Sequence, residues 1–243
     1  MTPTDLTIIV PVYNEMRRLE AGLTALLRFL DTAGLAADLL VVDDGSRDGT
    51  PDRVETLLRG RADAALIRLP VNRGKGYAVK TGMLAARGRW RLFTDIDLSV
   101  PIEVAGEFLR LGEAGASIVI GTRKTDQSQV PVPQPKYRKM LGEVFRQMTL
   151  RFFTPGLTDI TCGFKLFRAD AAEKLFAHSA IDRWSFDAEI LFLALRLGFT
   201  VREIPVVWTN NPETKVRLAV DLPRSLLELA RIRWRWLSGG YTR

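Results

Sequence analysis

Short apolar runs separated by longer stretches of helical spacing recur through the first part of the chain. Residues 7–11, 38–42, 65–69 and 91–94 read as strands, and residues 15–32, 50–59 and 76–86 as helices. Strand and helix in strict alternation predict βαβ units, hence an α/β fold with a mainly parallel central sheet flanked by helices. Farther on, residues 119–123 read as strand, 136–153 as helical, 159–167 as strand or turn, and 171–176 and 186–197 as helices. The stretch 124–135 is polar, Gln-rich and holds three prolines, which predicts a loop of the kind that closes over a site. The last segment, 221–237, is amphipathic. Leu222, Leu226, Leu229, Ala230, Trp236 and Leu237 fall on one side and Arg224, Arg231 and Arg235 opposite, with Arg233 interrupting the apolar face. The expected organisation is one catalytic domain over 1–220 followed by a basic helix over 221–243.

Composition narrows the class. With 243 residues, 47% hydrophobic and 26% charged, the chain can bury one large core. Its single cysteine, Cys162, excludes an intramolecular disulfide and a cysteine-based zinc site, and fits a reducing compartment. The N-terminus lacks the basic start and apolar run of a secretory signal, and no 18-residue apolar stretch occurs. The expectation is a cytoplasmic protein. The net charge of +7 is concentrated between Lys215 and Arg243, where seven basic residues stand against Asp221 and Glu228. Trp234 and Trp236 lie among those arginines, the pattern of a helix resting on an anionic membrane surface. Peripheral attachment at the cytoplasmic membrane face is expected, with no nucleic acid among the partners. The other reading is a helix packed on the domain with its arginines toward water.

The polar clusters follow the strands, where ligands gather in α/β sheets. Asp95 and Asp97 follow the strand 91–94, and residues two apart at a strand end project to one side. Two hard carboxylates suit Mg²⁺ or Mn²⁺, completed by water and substrate phosphates. Asp44, in Asp43-Asp44-Gly45-Ser46, can accept from a base or ribose, or serve as a turn residue ahead of the helix near Thr50. Asn72-Arg73-Gly74-Lys75-Gly76 offers amides and two cations before a helix, as either a phosphate cradle or a solvated basic turn. His178, the only histidine, has no metal-ligand spacing and reads as a surface residue.

The succession Ile9-Val10-Pro11-Val12-Tyr13-Asn14-Glu15, Val42-Asp43-Asp44-Gly45-Ser46, Asn72 to Gly76, Asp95-Ile96-Asp97 and Gly121-Thr122-Arg123 resembles inverting GT-A glycosyltransferases of the family-2 type. Within that group, Asp159 to Phe167 and Arg183 to Leu191 resemble dolichyl-phosphate β-glucosyltransferases, with dolichyl-phosphate mannose synthases as near relatives. The resemblance spans about residues 5–237 and implies a GT-A, Rossmann-like fold. It implies that Pro11, Tyr13, Glu15, Val42 and Asp44 hold the nucleoside. It implies further that Asp95, Ile96 and Asp97 form the metal and diphosphate motif, and that Arg123 contacts a donor phosphate. Lys75 joins the cofactor-binding set, as does Lys215, which falls near a basic pair that closes over the diphosphate in mannose synthases. The arginine of that pair is not evident between Pro205 and Lys215.

The acceptor end allows two chemistries. A lipid phosphate is already an anion and needs cations, for which Arg123, Lys124, Arg138, Lys139 and Lys165 are candidates. A hydroxyl acceptor, on a glycerolipid or small metabolite, needs a carboxylate base, for which Asp159, Asp187 and Glu189 are candidates. Asp159 and Asp187 serve equally as a turn and a helix-start residue. Asp97, Asp159, Asp187 and Arg123 are thus the expected catalytic set. The expected activity is inverting transfer of glucose from UDP-glucose to a polyprenyl or dolichyl phosphate. A non-catalytic nucleotide-binding protein is the rival from another class.

Overall fold

The computed structural model describes residues 4–124, 143, 146–209 and 218–241. Lys215, Arg138, Lys139, the loop positions 125–135 and most of 136–145 lie outside the described residues.

Seven strands form one sheet in the order β3-β2-β1-β4-β6-β5-β7. Strand β1 (Leu6–Val12) leads through α1 (Met16–Thr32) to β2 (Ala37–Asp43), then through α2 (Thr50–Leu58) to β3 (Ala64–Arg68). Helix α3 (Lys75–Ala85) returns the chain to β4 (Trp90–Thr94) on the other side of β1. After α4 (Ala105–Glu113) come β5 (Ile118–Thr122), β6 (Phe164–Arg168), α5 (Ala169–His178), α6 (Phe186–Arg196), β7 (Val201–Pro205) and α7 (Leu218–Leu237). Strand β6 is antiparallel to both β4 and β5, whereas all other pairings are parallel.

Side-chain alternation along β1 explains the layering. Leu6, Ile8, Val10 and Val12 join the core beneath α1, α2 and α4, while Ile9 faces the core of α3, α5 and α6. Helix α3 packs close because Gly82 has no side chain, and a Cβ there would overlap Ile9.

The predicted strands and helices of the first part of the chain are all present, with ends shifted by a residue or so. The differences lie later. Residues 159–167 split into a loop and the short strand β6. Helix α4 and strand β7 were not foreseen: β7 is five residues long and only Ile204 in it is buried, so it has no apolar run. Residues 146–152 are helical, within the stretch predicted so.

Helix α7 meets the protein with part of the apolar side read in the sequence, Leu229 and Trp236, but turned toward Ser225 and Ile232. Ser225, Leu229 and Ile232 are buried, and Trp236 meets Phe192 of α6 edge-on with centroids 5.5 Å apart. Leu226, Leu227, Trp234 and Leu237 remain exposed. Beyond the helix, the Tyr241 hydroxyl donates to Glu189 Oε1 at 2.6 Å. Glu189 is fully buried and also accepts from the amides of Ala180 and Ile181. It ties the tail and a loop to α6. No helix among the described residues is long and apolar enough to cross a membrane.

Candidate active site

The strand ends of β1, β2, β4 and β5 bring the predicted residues to one edge of the sheet, as parallel topology requires. At β1, Pro11 and Tyr13 are half-buried and Glu15 is nearly buried. The turn is sewn to the next one: Asn14 N donates to Ser46 Oγ at 2.8 Å and Glu15 N to Thr50 Oγ1 at 2.9 Å. Asn14 sits at φ 50, a left-handed conformation that asparagine tolerates.

At β2, Val42 is buried and Asp44 is 3% exposed. The Asp44 carboxylate accepts from Asn72 Nδ2 and from the amides of Arg73 and Gly74, each at 2.8 Å. Burial pushes its pKa upward against those bonds. Asp44 therefore shapes the 72–74 loop, and Gly74, at φ 120, starts α3 where a Cβ would strike the Asp182 carbonyl at 2.5 Å.

Lys75 comes next, and its Nζ lies 2.6 Å from Asp95 Oδ1. Burial works against its charge, but Asp95, Asp187 and Asp97 outweigh that and hold its pKa above the ordinary lysine value. Asp95 is partly open, and Gly163 leaves the room its carboxylate occupies, since a Cβ there would overlap Asp95 Oδ2. Asp97 Oδ1 accepts from Ser99 N at 3.1 Å and Ser99 Oγ at 3.0 Å. Leu98 between them adopts φ 45, a conformation costing a non-glycine residue about 1–3 kcal/mol, so the turn around the acid pair is held against strain. Ile96 is buried, and its carbonyl lies against Gly22 of α1, where a Cβ would overlap it.

The donor set suits a divalent cation bound together with phosphate. Among the described residues no group of three or more His, Cys, Asp or Glu side chains can hold a metal by itself. Asp95 and Asp97 supply two carboxylates, the number Mg²⁺ or Mn²⁺ takes when waters and substrate phosphates complete the shell.

At β5, Arg123 meets Asp159 in a fork, Nε to Oδ2 at 2.6 Å and Nη2 to Oδ1 at 2.9 Å, and its Nη2 also donates to Thr161 Oγ1 at 2.7 Å. The guanidinium carbon lies 5.1 Å from the Trp208 ring centroid. Asp159 is fully buried, and its loop is held by Glu203, which accepts from the amides of Thr158 and Asp159. Burial would raise the Asp159 pKa, but Arg123 and the surrounding amides bring it down to about 2. Such a carboxylate is a poor proton acceptor at neutral pH.

Asp187, at the start of α6, is 7% exposed and accepts from Lys165 Nζ at 2.7 Å; Lys165, itself buried, also donates to the Cys162 carbonyl at 2.5 Å. Burial pushes the Asp187 pKa up, with Lys165 and Lys75 opposing. Lys75 and Lys165 lie 5.7 and 5.1 Å from the Phe93 ring centroid, so two lysines and two aspartates gather around one buried ring. The Cys162 thiol is buried and its pKa raised to about 11, leaving it unreactive. His178 pairs through Nδ1 with the Lys174 carbonyl at the end of α5, away from these clusters.

The residue that sequence reading missed is Arg18. Its Nε and Nη2 each lie 2.8 Å from a Glu15 oxygen, and its Nη1 lies 3.3 Å from Asp97 Oδ2. The spacing of three from Glu15 on a helix start was the available signal.

The sequence matches the Glycosyl transferase family 2 model over residues 7–176. Dolichyl-phosphate β-glucosyltransferase of Drosophila melanogaster is 35% identical over 87% of this chain and 69% of its own length. The enzyme of that name from Dictyostelium discoideum is 31% identical over 96% of this chain and 75% of its own. Among solved structures, glucosyl-3-phosphoglycerate synthase of Mycobacterium tuberculosis with UDP aligns at a TM-score of 0.69 and 18% identity, covering 96% of this chain and 80% of that one. The same protein with Mn²⁺, UDP-glucose and phosphoglyceric acid aligns at 0.66 and 18% identity, over 94% of this chain and 79% of that one. These structural likenesses carry the GT-A fold, and with the family match and the relatives they lead to one statement: the chain belongs to glycosyl transferase family 2 and is a nucleotide-sugar glycosyltransferase.

Proposed function

We propose that the chain transfers glucose from UDP-glucose, with inversion, to a dolichyl or related polyprenyl phosphate, with Mg²⁺ or Mn²⁺ held by Asp95 and Asp97. The observation that carries the choice of acceptor is the commitment of Asp159 to Arg123 and of Asp187 to Lys165. A hydroxyl acceptor needs a free base, whereas a phosphate with a second pKa of about 6 arrives as its own nucleophile. The names of the relatives at 31–35% identity support the same acceptor.

In this reading Pro11, Tyr13, Glu15, Val42 and Asp44 shape the nucleoside end. Lys75 and Arg123, joined by Lys215, meet the diphosphate. Asp159 is a positioning residue that aims Arg123, and Asp187 is the counter-charge for Lys75 and Lys165. The acceptor phosphate oxygen bonds to the anomeric carbon as the bond to UDP breaks, through an oxocarbenium-like transition state, and no proton has to move. A divalent ion bound at the acid pair supplies neutralising charge to the departing diphosphate. The test is transfer from a panel of UDP- and GDP-sugars to polyprenyl phosphate in detergent. Butanol-extractable product from UDP-glucose is expected. Product formed only on hydroxyl acceptors would overturn the acceptor assignment.

We also infer that α7 rests on the cytoplasmic membrane face. Leu227 and Leu237 are each 73% exposed and Trp234 68%, beside Arg231 and Arg233. An apolar cleft of about 330 Å³, walled by Met148, Phe152, Phe153, Leu226 and Leu229, opens next to them. Both features suit an enzyme that takes an acceptor from a bilayer. Vesicle flotation with anionic lipid should show partitioning that weakens about tenfold or more in a Trp234→Ala, Leu237→Ser double variant, given ~1.5–3 kcal/mol per buried large apolar side chain. Equal partitioning of both proteins would remove α7 from the membrane.

A further inference from the structure

Each carboxylate of the acid pair already faces a cation supplied by the chain: Lys75 for Asp95 and Arg18 for Asp97. Arg18 does more than neutralise. Its fork is closed on Glu15, with Nε and Nη2 on separate oxygens, while its remaining nitrogen reaches Asp97 across 79 positions of sequence. One guanidinium thus spans an acid at the end of β1 and an acid at the end of β4. Its place is built into the fold. Gly22 lies one turn further along α1 and lets that helix seat directly on the Ile96 carbonyl, which sets Arg18 over the Asp95-Ile96-Asp97 turn. With Arg18 18% and Asp97 17% exposed, the pair is little screened by solvent.

We infer that Arg18 is a positioning residue that makes divalent-metal binding depend on nucleotide binding. The inference rests on the reading of Asp95 and Asp97 as the metal ligands. A divalent cation that comes to Asp97 alone must displace the guanidinium or lie against a like charge. The cation also finds few ligands, since the chain offers two carboxylates and no cluster of three among the described residues. A nucleoside diphosphate changes both terms. Its oxygens complete the metal's shell, and its negative charge turns the neighbouring guanidinium from a competitor into a counter-ion. Glu15, at the nucleoside end, retains Arg18 when Asp97 releases it. Metal and nucleotide are then coupled through one side chain, and each raises the affinity of the other by the same factor.

Mn²⁺ titrations followed by electron paramagnetic resonance, with and without UDP, measure that factor directly. The proteins to compare are wild type, Arg18→Gln, Arg18→Lys and Asp97→Asn, each checked for a cooperative melt. Wild type is expected to bind Mn²⁺ weakly alone and much more tightly with UDP. In Arg18→Gln the coupling factor should fall about tenfold, within the usual range of such couplings, with Mn²⁺ alone binding more tightly than in wild type. Arg18→Lys keeps the charge but cannot hold both acids as a fork, so a fall of about threefold is expected; it also decides the matter if the glutamine variant does not fold. Wild-type coupling in the folded arginine variants, with Mn²⁺ binding lost in Asp97→Asn, would overturn the inference and leave the metal assignment standing. Undiminished Mn²⁺ binding in Asp97→Asn would overturn both.

Discussion

Asp97→Ala should lower sugar transfer by about a thousandfold, the several kcal/mol of transition-state charge stabilisation that a diphosphate-bound metal supplies. The carboxylate has two duties. Oδ2 faces the site and Arg18, and Oδ1 holds the backbone and hydroxyl of Ser99 in the turn that contains Leu98 at φ 45. Alanine removes both and loosens the turn. Asp97→Asn separates them, because an amide oxygen still accepts from Ser99 while the charge is gone. Both variants should lose butanol-extractable product and Mn²⁺ binding, with the asparagine variant melting close to wild type. Transfer by Asp97→Asn within tenfold of wild type would sink the assignment of this acid to the metal.

Asp159→Ala should produce the largest loss of stability. Asp159 is fully buried against an arginine that is 18% exposed, and removing one partner of a buried pair typically costs about 3–5 kcal/mol. For a chain of this size that is a fall in Tm of roughly 10 °C. Removing both partners should cost less than removing Asp159 alone, because the uncompensated charge goes with it. The pH dependence has a definite sign. The folded-state pKa of Asp159 is about 2, below the ordinary 3.8, so the pair's contribution is complete above the ordinary value and is lost as the pH falls toward 2. The gap in Tm between wild type and Asp159→Ala should therefore narrow below about pH 4. A gap that stays constant down to pH 2 would contradict the pairing. In the folded Asp159→Asn variant, donor KM should rise while the pH profile of kcat keeps its shape; loss of the fall in kcat at low pH would instead make Asp159 a base.

The first four strands and three helices were legible because a βαβ unit writes its topology into local pattern: apolar runs at 7–11 and 91–94, then acids and glycines where each strand must stop. The acid pair after β4 and the Gly74-Lys75 entry to α3 were readable on the same grounds. Strand β7 was not, since only Ile204 in it is buried and no apolar run marks it; helix α4, as long as α2, was missed although Ala105, Phe108 and Gly112 bury one face at helical spacing. The reversal of β6 between β4 and β5 was equally hidden, since strand direction depends on the path of the chain and not on side-chain alternation. In α7, the periodicity identified a helix and placed Leu229 and Trp236 on its packed side, but not that Ser225 and Ile232 would be buried while Leu226 and Leu237 stay exposed.

The sequence by itself determined the class of fold and the polar residues gathered at the strand ends, because both depend on local periodicity and on the residues at which each strand stops. Only the tertiary structure decided the state of those residues. Arg123 and Asp159 are 36 positions apart, Lys165 and Asp187 22, Arg18 and Asp97 79. An ion pair's existence, its burial and the resulting proton affinity depend on separation in space and on the surrounding dielectric, neither of which residue order encodes. That is why Asp159, Asp187 and Glu189, all candidate bases along the chain, are found once folded paired with Arg123, with Lys165 and with Tyr241.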